Sequence, residues 1–134
     1  MKGAAAAVIE FNQNILGIEP RKLEPMPENE AKHLVKCLNE EVNDEFMEGQ
    51  TKGDLVDCVD ALIDAMYFAL GGLYKMGLSA HQIEACFLAV HQANMEKKKG
   101  VVAGRAVEGA VDAIKPAEWK SPEQRIAEIL FETE

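Results

Sequence analysis

The chain has 134 residues, of which 48% are hydrophobic, so one domain over residues 1–134 with a buried core is expected. A net charge of −9 argues against binding to nucleic-acid backbones, which require a basic surface. No apolar stretch is long enough for a membrane helix or a signal-peptide core. Three cysteines without a CxxC pair favour reduced thiols, so we expect a cytoplasmic protein. From the charge and the apolar pattern we expect that it binds neither nucleic acid nor membranes.

The spacing of apolar residues predicts four helices before residue 100, over residues 4–15, 28–48, 54–76 and 79–98. Three prolines make residues 18–28 an extended connector between the first two helices. Gly49 is expected to stop the second helix, and Asp54 to cap the third. Ser79 and Gln82 have the spacing of a capping box at the start of the fourth.

Beyond Gly100 the chain is rich in small residues, and residues 100–116 are compatible with either a hairpin or an irregular wrap. A last short helix is expected from Ser121 to Phe131, with Pro122 at its first helical position. Long helices joined by short loops predict an all-α fold with a four-helix-bundle core.

Carboxylates interrupt the apolar side of the second helix. At about 100° per residue, Glu41 and Glu45 lie inside the stripe that Leu34 and Leu38 define. The other acids of this segment border the stripe or lie towards solvent: Glu48, Glu40 and Asp44. An ionised carboxylate in a core is costly unless a cation or a metal ion compensates it, and this helix face offers no cation.

The third helix repeats this pattern. Asp57, Asp60 and Asp64 follow one line at spacings of three and four, Gly71 leaves room beside that line, and Lys75 ends it. Two antiparallel helices with inward-facing carboxylates would bring the acids together, as in metal sites of helical bundles. Oxygen ligands select hard cations, so Mg²⁺ or Mn²⁺ is the expected ion, and no histidine has a paired spacing that favours zinc or di-iron.

The alternative is that these acids are simply solvated, which is the usual situation for acid pairs four residues apart in an acidic chain. That interpretation is favoured for either helix alone. The metal site is favoured by the coincidence that two consecutive helices both place acids where their apolar patterns predict burial.

The fourth helix ends with groups suited to phosphates. Asn94 continues the apolar stripe of Ile83 and Phe87, and Lys97 follows one turn later, within the dense basic run of residues 97–99. An amide followed by cations can bind a polyphosphate beside metal-bound carboxylates. Lysines near a helix C-terminus also favour the helix dipole, and that explanation is sufficient for the run by itself.

Together these segments resemble a known superfamily. NEEVNDE (39–45) followed by DCVDALIDAMYFALGGLYKMG (57–77) is similar to the EExxE and ExxD motifs of the all-α nucleoside triphosphate pyrophosphohydrolases. These include MazG, phosphoribosyl-ATP pyrophosphohydrolase and the dimeric dUTPases. VHQANMEK (90–97) is similar to a stretch of small, often phage-encoded members. The chain departs from these motifs at two places. Asp44 stands where the first motif usually has its last glutamate, and the spacing of Asp57, Asp60 and Asp64 does not give a single ExxD match.

The resemblance implies Mg²⁺-dependent hydrolysis of an NTP or dNTP between the α and β phosphates, giving the monophosphate and pyrophosphate. It places the catalytic metal shell at Glu41, Glu45, Asp60 and Asp64, with four further candidates: Asp44, Glu48, Asp57 and Glu40. It implies that phosphate oxygens are bound by Asn94, Lys97 and Lys98. Lys115 is a further substrate-binding candidate, and Trp119 is expected mainly to anchor the C-terminal helix.

The third helix also predicts assembly, because its residues 55–76 are apolar on nearly every side. We therefore expect a homodimer or homotetramer that completes the bundle, as in the proteins that the chain resembles. Two other functions are left open by the sequence: a non-catalytic module that binds a nucleotide or a divalent ion, and a structural helical-bundle subunit.

Overall fold

The computed structural model of the chain describes residues 3–101 and 111–132. Its helices are α1 (Ala4–Asn14), α2 (Glu28–Asn39), α3 (Met47–Lys52), α4 (Leu55–Lys75), α5 (Ala80–Met95) and α6 (Glu123–Phe131). A π-helical segment, Glu40–Phe46, joins α2 to α3 and is called the π segment below. Strands β1 (Lys98–Val101) and β2 (Val111–Ile114) pair antiparallel, with Lys98 opposite Ile114. The predicted all-α class is confirmed, and the contacts divide the chain into two compact units, Met1–Ile83 and Glu84–Glu134.

The helix that carries the first group of acids is longer than predicted. It continues past Gly49 to Lys52 and ends at Gly53, whose φ of 69° is the left-handed conformation that glycine adopts readily. Gly49 is buried, and a Cβ there would lie 3.1 Å from the backbone nitrogen of Cys58. The prediction that Gly49 stops the helix is therefore wrong, because this glycine lets α3 approach α4 closely.

The predicted caps of the next two helices are confirmed. The Asp54 carboxylate accepts a hydrogen bond from the backbone N–H of Asp57 at 3.1 Å. Ser79 and Gln82 form the reciprocal capping box: the Ser79 N–H donates to the Gln82 side chain at 2.9 Å, and the Gln82 N–H donates to Ser79 Oγ at 3.1 Å.

The last third of the chain differs in detail from the predicted boundaries. α5 ends at Met95 instead of residue 98, because Lys98 already pairs in β1. The two strands favour the hairpin over the irregular wrap, although residues 102–110 between them lie outside the described residues. Pro122 precedes α6 instead of occupying its first turn. Cys37, Cys58 and Cys86 are all free thiols, as expected.

The core of the first unit lies where α1 packs on α4. Val8, Ala61 and Tyr74 are at most 4% exposed, and the Tyr74 hydroxyl donates to the Ile18 carbonyl oxygen at 2.7 Å. This bond ties the proline-rich connector to α4. In contrast, the first half of α4 exposes a row of apolar side chains: Leu55, Val56, Val59, Leu62, Ile63 and Met66. No helix among the described residues is long and apolar enough to cross a membrane.

Candidate active site

Glu41 marks the centre of the candidate site. It lies in the π segment, which packs against α4, and its side chain is half-buried. Burial raises the pKa of the Glu41 carboxyl above its usual range, and the negative charges of Asp64, Glu45 and Asp60 raise it further. The structure thus brings the four predicted catalytic carboxylates into one electrostatic neighbourhood, and Glu40 contributes to it more weakly.

The four carboxylates are not equally buried. Glu41 and Asp64 are half-buried, whereas Glu45 and Asp60 are exposed in the single chain. The expectation that Glu45 faces the core is therefore wrong for this chain. The physical reason is the π segment, which turns by less than 100° per residue and so departs from the α-helical wheel used for that prediction.

The donor set suits a hard cation by its chemistry. All four groups supply oxygen, and none of them forms an ion pair with a described residue. Uncompensated like charges in one neighbourhood are relieved by a divalent cation. The side chains are not drawn together into a preformed site, since no group of three acids, cysteines or histidines among the described residues is close enough to hold a metal ion.

Three of the four further acidic candidates lie outside this neighbourhood, and Glu40 is the exception. The Glu48 carboxylate pairs with the Lys52 ammonium at 2.7 Å, and this hydrogen bond lowers the pKa of the Glu48 carboxyl. Asp57 acts on the same ammonium, because its charge contributes to the raised pKa of Lys52. Asp44 is exposed, and none of these three acids shifts the pKa of Glu41.

The predicted substrate-binding lysines belong to the second unit. The ammonium groups of Lys97 and Lys115 lie 5.1 Å and 4.9 Å from the centroid of the Trp119 ring. Trp119 Nε1–H donates to the Ala93 carbonyl oxygen at 2.6 Å, so this indole packs on α5. Asn94 is exposed near the end of α5, and Lys98 is exposed at the start of β1.

A small cavity in the same unit as the acids was missed by the sequence analysis. It has a volume of about 280 Å³ and is lined by Phe11, Asn12, Leu16, His33, Leu34, Tyr67, Phe68, Gly71, Gly72 and Lys75. Asn12 is only 3% exposed and lies one helical turn after the core residue Val8. A polar residue at such a core position is a signal that the sequence does contain.

A larger cavity, of about 460 Å³, lies on the other side of α1. The cation on its lining, Arg21, is held by the Glu30 carboxylate at 2.8 Å and 3.1 Å. Because the charge of Arg21 is already compensated, this cavity is a weaker candidate for a substrate site than the smaller one, despite its larger volume.

Comparison with known proteins agrees with this geometry. The chain matches the phosphoribosyl-ATP pyrophosphohydrolase family over residues 8–94, which is more than half of its length, and so it belongs to this family. The family is part of the MazG-like nucleoside triphosphate pyrophosphohydrolase superfamily, which confirms the resemblance described above. The chain is accordingly a pyrophosphohydrolase that acts on phosphoanhydride bonds of nucleotides. No curated protein gives a significant match.

The matched range covers the last seven residues of α1, the π segment, α4 and most of α5. It therefore includes all four central carboxylates, the small cavity and Asn94. Lys97, Lys98 and Lys115 lie beyond it, so their roles depend on the local arguments alone.

Proposed function

We propose that the chain hydrolyses a nucleoside or deoxynucleoside triphosphate between the α and β phosphates, releasing the monophosphate and pyrophosphate, and that the reaction requires Mg²⁺. The observation that carries this proposal is the position of Glu41, whose pKa is raised by burial and by the charges of Asp64, Glu45 and Asp60 and which forms no ion pair with any described residue. Negative charge held together in this way is unfavourable in the free protein and favourable around a bound cation.

In this proposal Glu41, Glu45, Asp60 and Asp64 hold the metal. Mg²⁺, or Mn²⁺ in its place, neutralises phosphate charge and lowers the pKa of a bound water when it is present. The protein's own contribution is to direct the carboxylates at the phosphates, on two helices that are fixed against each other at Gly49.

Asn94, Lys97 and Lys98 are proposed to donate hydrogen bonds to phosphate oxygens, with Lys115 as a further cation. Contact with the Trp119 ring restricts the Lys97 and Lys115 side chains, which reduces the conformational entropy lost when a phosphate binds. Trp119 supports them in this scheme and is not itself assigned to the substrate.

A second candidate substrate follows from the family. Its description names phosphoribosyl-ATP, in which the same α–β phosphoanhydride bond is available for hydrolysis. The carboxylates would act identically on either substrate, so the choice between them depends on the groups that contact the base and the sugar.

We also propose that the active form is a homodimer or homotetramer. The exposed apolar row on α4 is wide, with Leu55 at 75% and Val56 at 76% exposure, and contiguous apolar surface of this kind usually marks an interface. A second copy of this row is the natural partner, because an isologous interface pairs the same patch on both subunits.

Product analysis in ¹⁸O-labelled water tests the reaction. The panel comprises the common NTPs and dNTPs and phosphoribosyl-ATP, each with Mg²⁺ and with a chelator. We expect pyrophosphate and a monophosphate from at least one of them, with Mg²⁺ only. Release of orthophosphate, or no product from any member of the panel, would contradict the proposal.

A further inference from the structure

We propose that the cavity between α1, α2 and α4 binds the nucleobase of the substrate, and that the side-chain amide of Asn12 is the group that hydrogen-bonds to it. This inference rests on the proposed function and extends it from the phosphates to the base. The cavity volume of about 280 Å³ is near the lower end of small-molecule sites, which suits one heterocycle better than a whole nucleotide.

The Asn12 amide has hydrogen-bonding capacity left over. Its Nδ2 donates to the Val8 carbonyl oxygen at 2.9 Å, which fixes the amide orientation because only the NH₂ group can donate. No described residue donates to Asn12 Oδ1. All fully buried side-chain polar atoms among the described residues have partners, so Oδ1 retains some exposure, and the cavity is the space that Asn12 lines.

An amide with a free acceptor and a second N–H offers two adjacent hydrogen bonds of opposite polarity. The edges of nucleobases present the same pair of groups, and bidentate contacts between asparagine and a base follow from that match. Asn12 is 3% exposed, and a base bound in the cavity would give its Oδ1 a hydrogen-bond donor in place of solvent.

Gly71 keeps the approach to this amide open. A Cβ at Gly71 would lie 3.4 Å from Asn12 Nδ2 and 4.0 Å from Oδ1, so any side chain at this position would occupy the space in front of the amide. The glycine is buried within α4, where it costs helix stability relative to alanine. The open space beside Asn12 is a functional reason for a glycine at this position.

Aromatic rings supply the second kind of contact that a base requires. The Phe11 and Tyr67 rings meet edge to face, with centroids 5.5 Å apart at an interplanar angle of 77°, and Phe68 lines the same cavity. All three rings are more than a third exposed in the single chain, which leaves ring surface available for stacking. Stacking of a base on an aromatic side chain contributes about 1–3 kcal/mol.

The cavity also lies at a suitable distance from the acids. Gly71 follows Asp64 by seven residues in α4, which is about 10 Å along the helix axis. On the facing helix, Leu34 precedes Glu41 by seven residues and contacts the other glycine of the pair, Gly72. Both helices therefore place the cavity about two turns from the carboxylates, and the sugar of a nucleotide would bridge the interval.

Two variants test the cavity. Gly71→Ala adds a methyl group in ordinary van der Waals contact and improves helix propensity, so this variant should fold. Tyr67→Leu removes an exposed ring. For the preferred nucleotide we expect KM to rise about 10-fold in each variant, with little change in kcat, because the base is held equally in the ground and transition states. Gly3→Ala is the matched control, since nothing lies within 4 Å of its added Cβ.

A substrate without a base distinguishes a failure of the base site from a failure of the proposed pyrophosphohydrolase activity. Ribose 5-triphosphate should be hydrolysed with a higher KM than the nucleotide, and that KM should be the same in wild type, Gly71→Ala and Tyr67→Leu. Metal-dependent turnover with equal KM values for the two substrates, or with variants that change both KM values alike, would overturn the base site and leave the pyrophosphohydrolase intact.

Binding without turnover provides an independent measurement. Adenosine, guanosine, cytidine and uridine, which lack phosphates, are titrated in turn into ¹⁵N-labelled protein while the Asn12 side-chain NH₂ resonances are followed. We expect at least one nucleoside to shift these resonances in wild type and to bind more weakly to Gly71→Ala. If no nucleoside shifts them, the base site is wrong, whatever the activity assays show.

Discussion

Replacing Gly77 with alanine provides a quantitative test of how the connector packs on the end of α4. Gly77 has a φ of 95°, and a Cβ there would lie 2.5 Å from the Lys22 carbonyl oxygen and 2.8 Å from that of Arg21. Both contacts are with backbone, so no side-chain rotation relieves them. The substitution therefore combines an unfavourable φ with a steric clash that separates the connector from α4.

The magnitude follows from these two contributions. A non-glycine residue in the left-handed region costs about 1–2 kcal/mol, and overpacking against a fixed backbone adds about 1–3 kcal/mol. At about 4 °C per kcal/mol for a chain of this size, Tm should fall by roughly 8–20 °C. Gly53→Ala is the matched control, because Gly53 also has a positive φ, of 69°, but nothing lies within 4 Å of its added Cβ.

Thermal unfolding followed by circular dichroism measures both variants under identical conditions. We expect Gly53→Ala to lose only about 4–8 °C, which is the φ contribution alone. Equal losses in the two variants would refute the reasoning, since the clash at Gly77 would then contribute nothing.

Four further predictions concern stability and assembly. The pKa of the Glu41 carboxyl is raised first by burial and then by Asp64, so the contribution of this group to stability is full below its unfolded-state pKa and is lost as pH rises through its folded-state pKa. Glu41→Gln should therefore melt at a higher temperature than wild type at neutral pH without metal. A lower Tm for this variant would contradict the prediction. Mg²⁺ at 100 times its Kd should stabilise wild type by about 2.7 kcal/mol and Glu41→Gln by clearly less, as measured by calorimetry. Tyr74→Phe removes the hydrogen bond to the Ile18 carbonyl and should lower the free energy of unfolding, measured in urea, by about 1 kcal/mol. Val56→Glu places a charge in the exposed apolar row of α4. This variant should keep the far-UV circular dichroism spectrum of wild type, but its mass measured by sedimentation should fall to that of a single chain.

The helix boundaries illustrate what local sequence determines. The caps at Asp54 and at Ser79 with Gln82 depend on residues three apart, so the sequence alone identifies them. Gly49 illustrates the limit, because a glycine that ends a helix and one that admits a neighbouring helix look the same in sequence. The distinction depends on Cys58, nine residues further along the chain.

The candidate site was predictable in its chemistry but not in its exact geometry. Residue types and spacing, together with the family resemblance, were sufficient to group Glu41, Glu45, Asp60 and Asp64. The π segment was not predicted, because a one-residue change of helical register depends on packing against α4 and has no composition signal. For the same reason the wheel placed Glu45 in the core, where the single chain leaves it exposed.

The most direct test of the central claim is the rate of Mg²⁺-dependent pyrophosphate release by wild type and by Glu41→Gln. Glu28→Gln is the matched control, because Glu28 lies on the same continuous helix and, among the described residues, pairs only with Lys32 at the surface. The account predicts a loss of about 10²-fold or more in kcat for Glu41→Gln and no change for the control. Equal rates for wild type and Glu41→Gln would contradict a catalytic role for the carboxylate cluster.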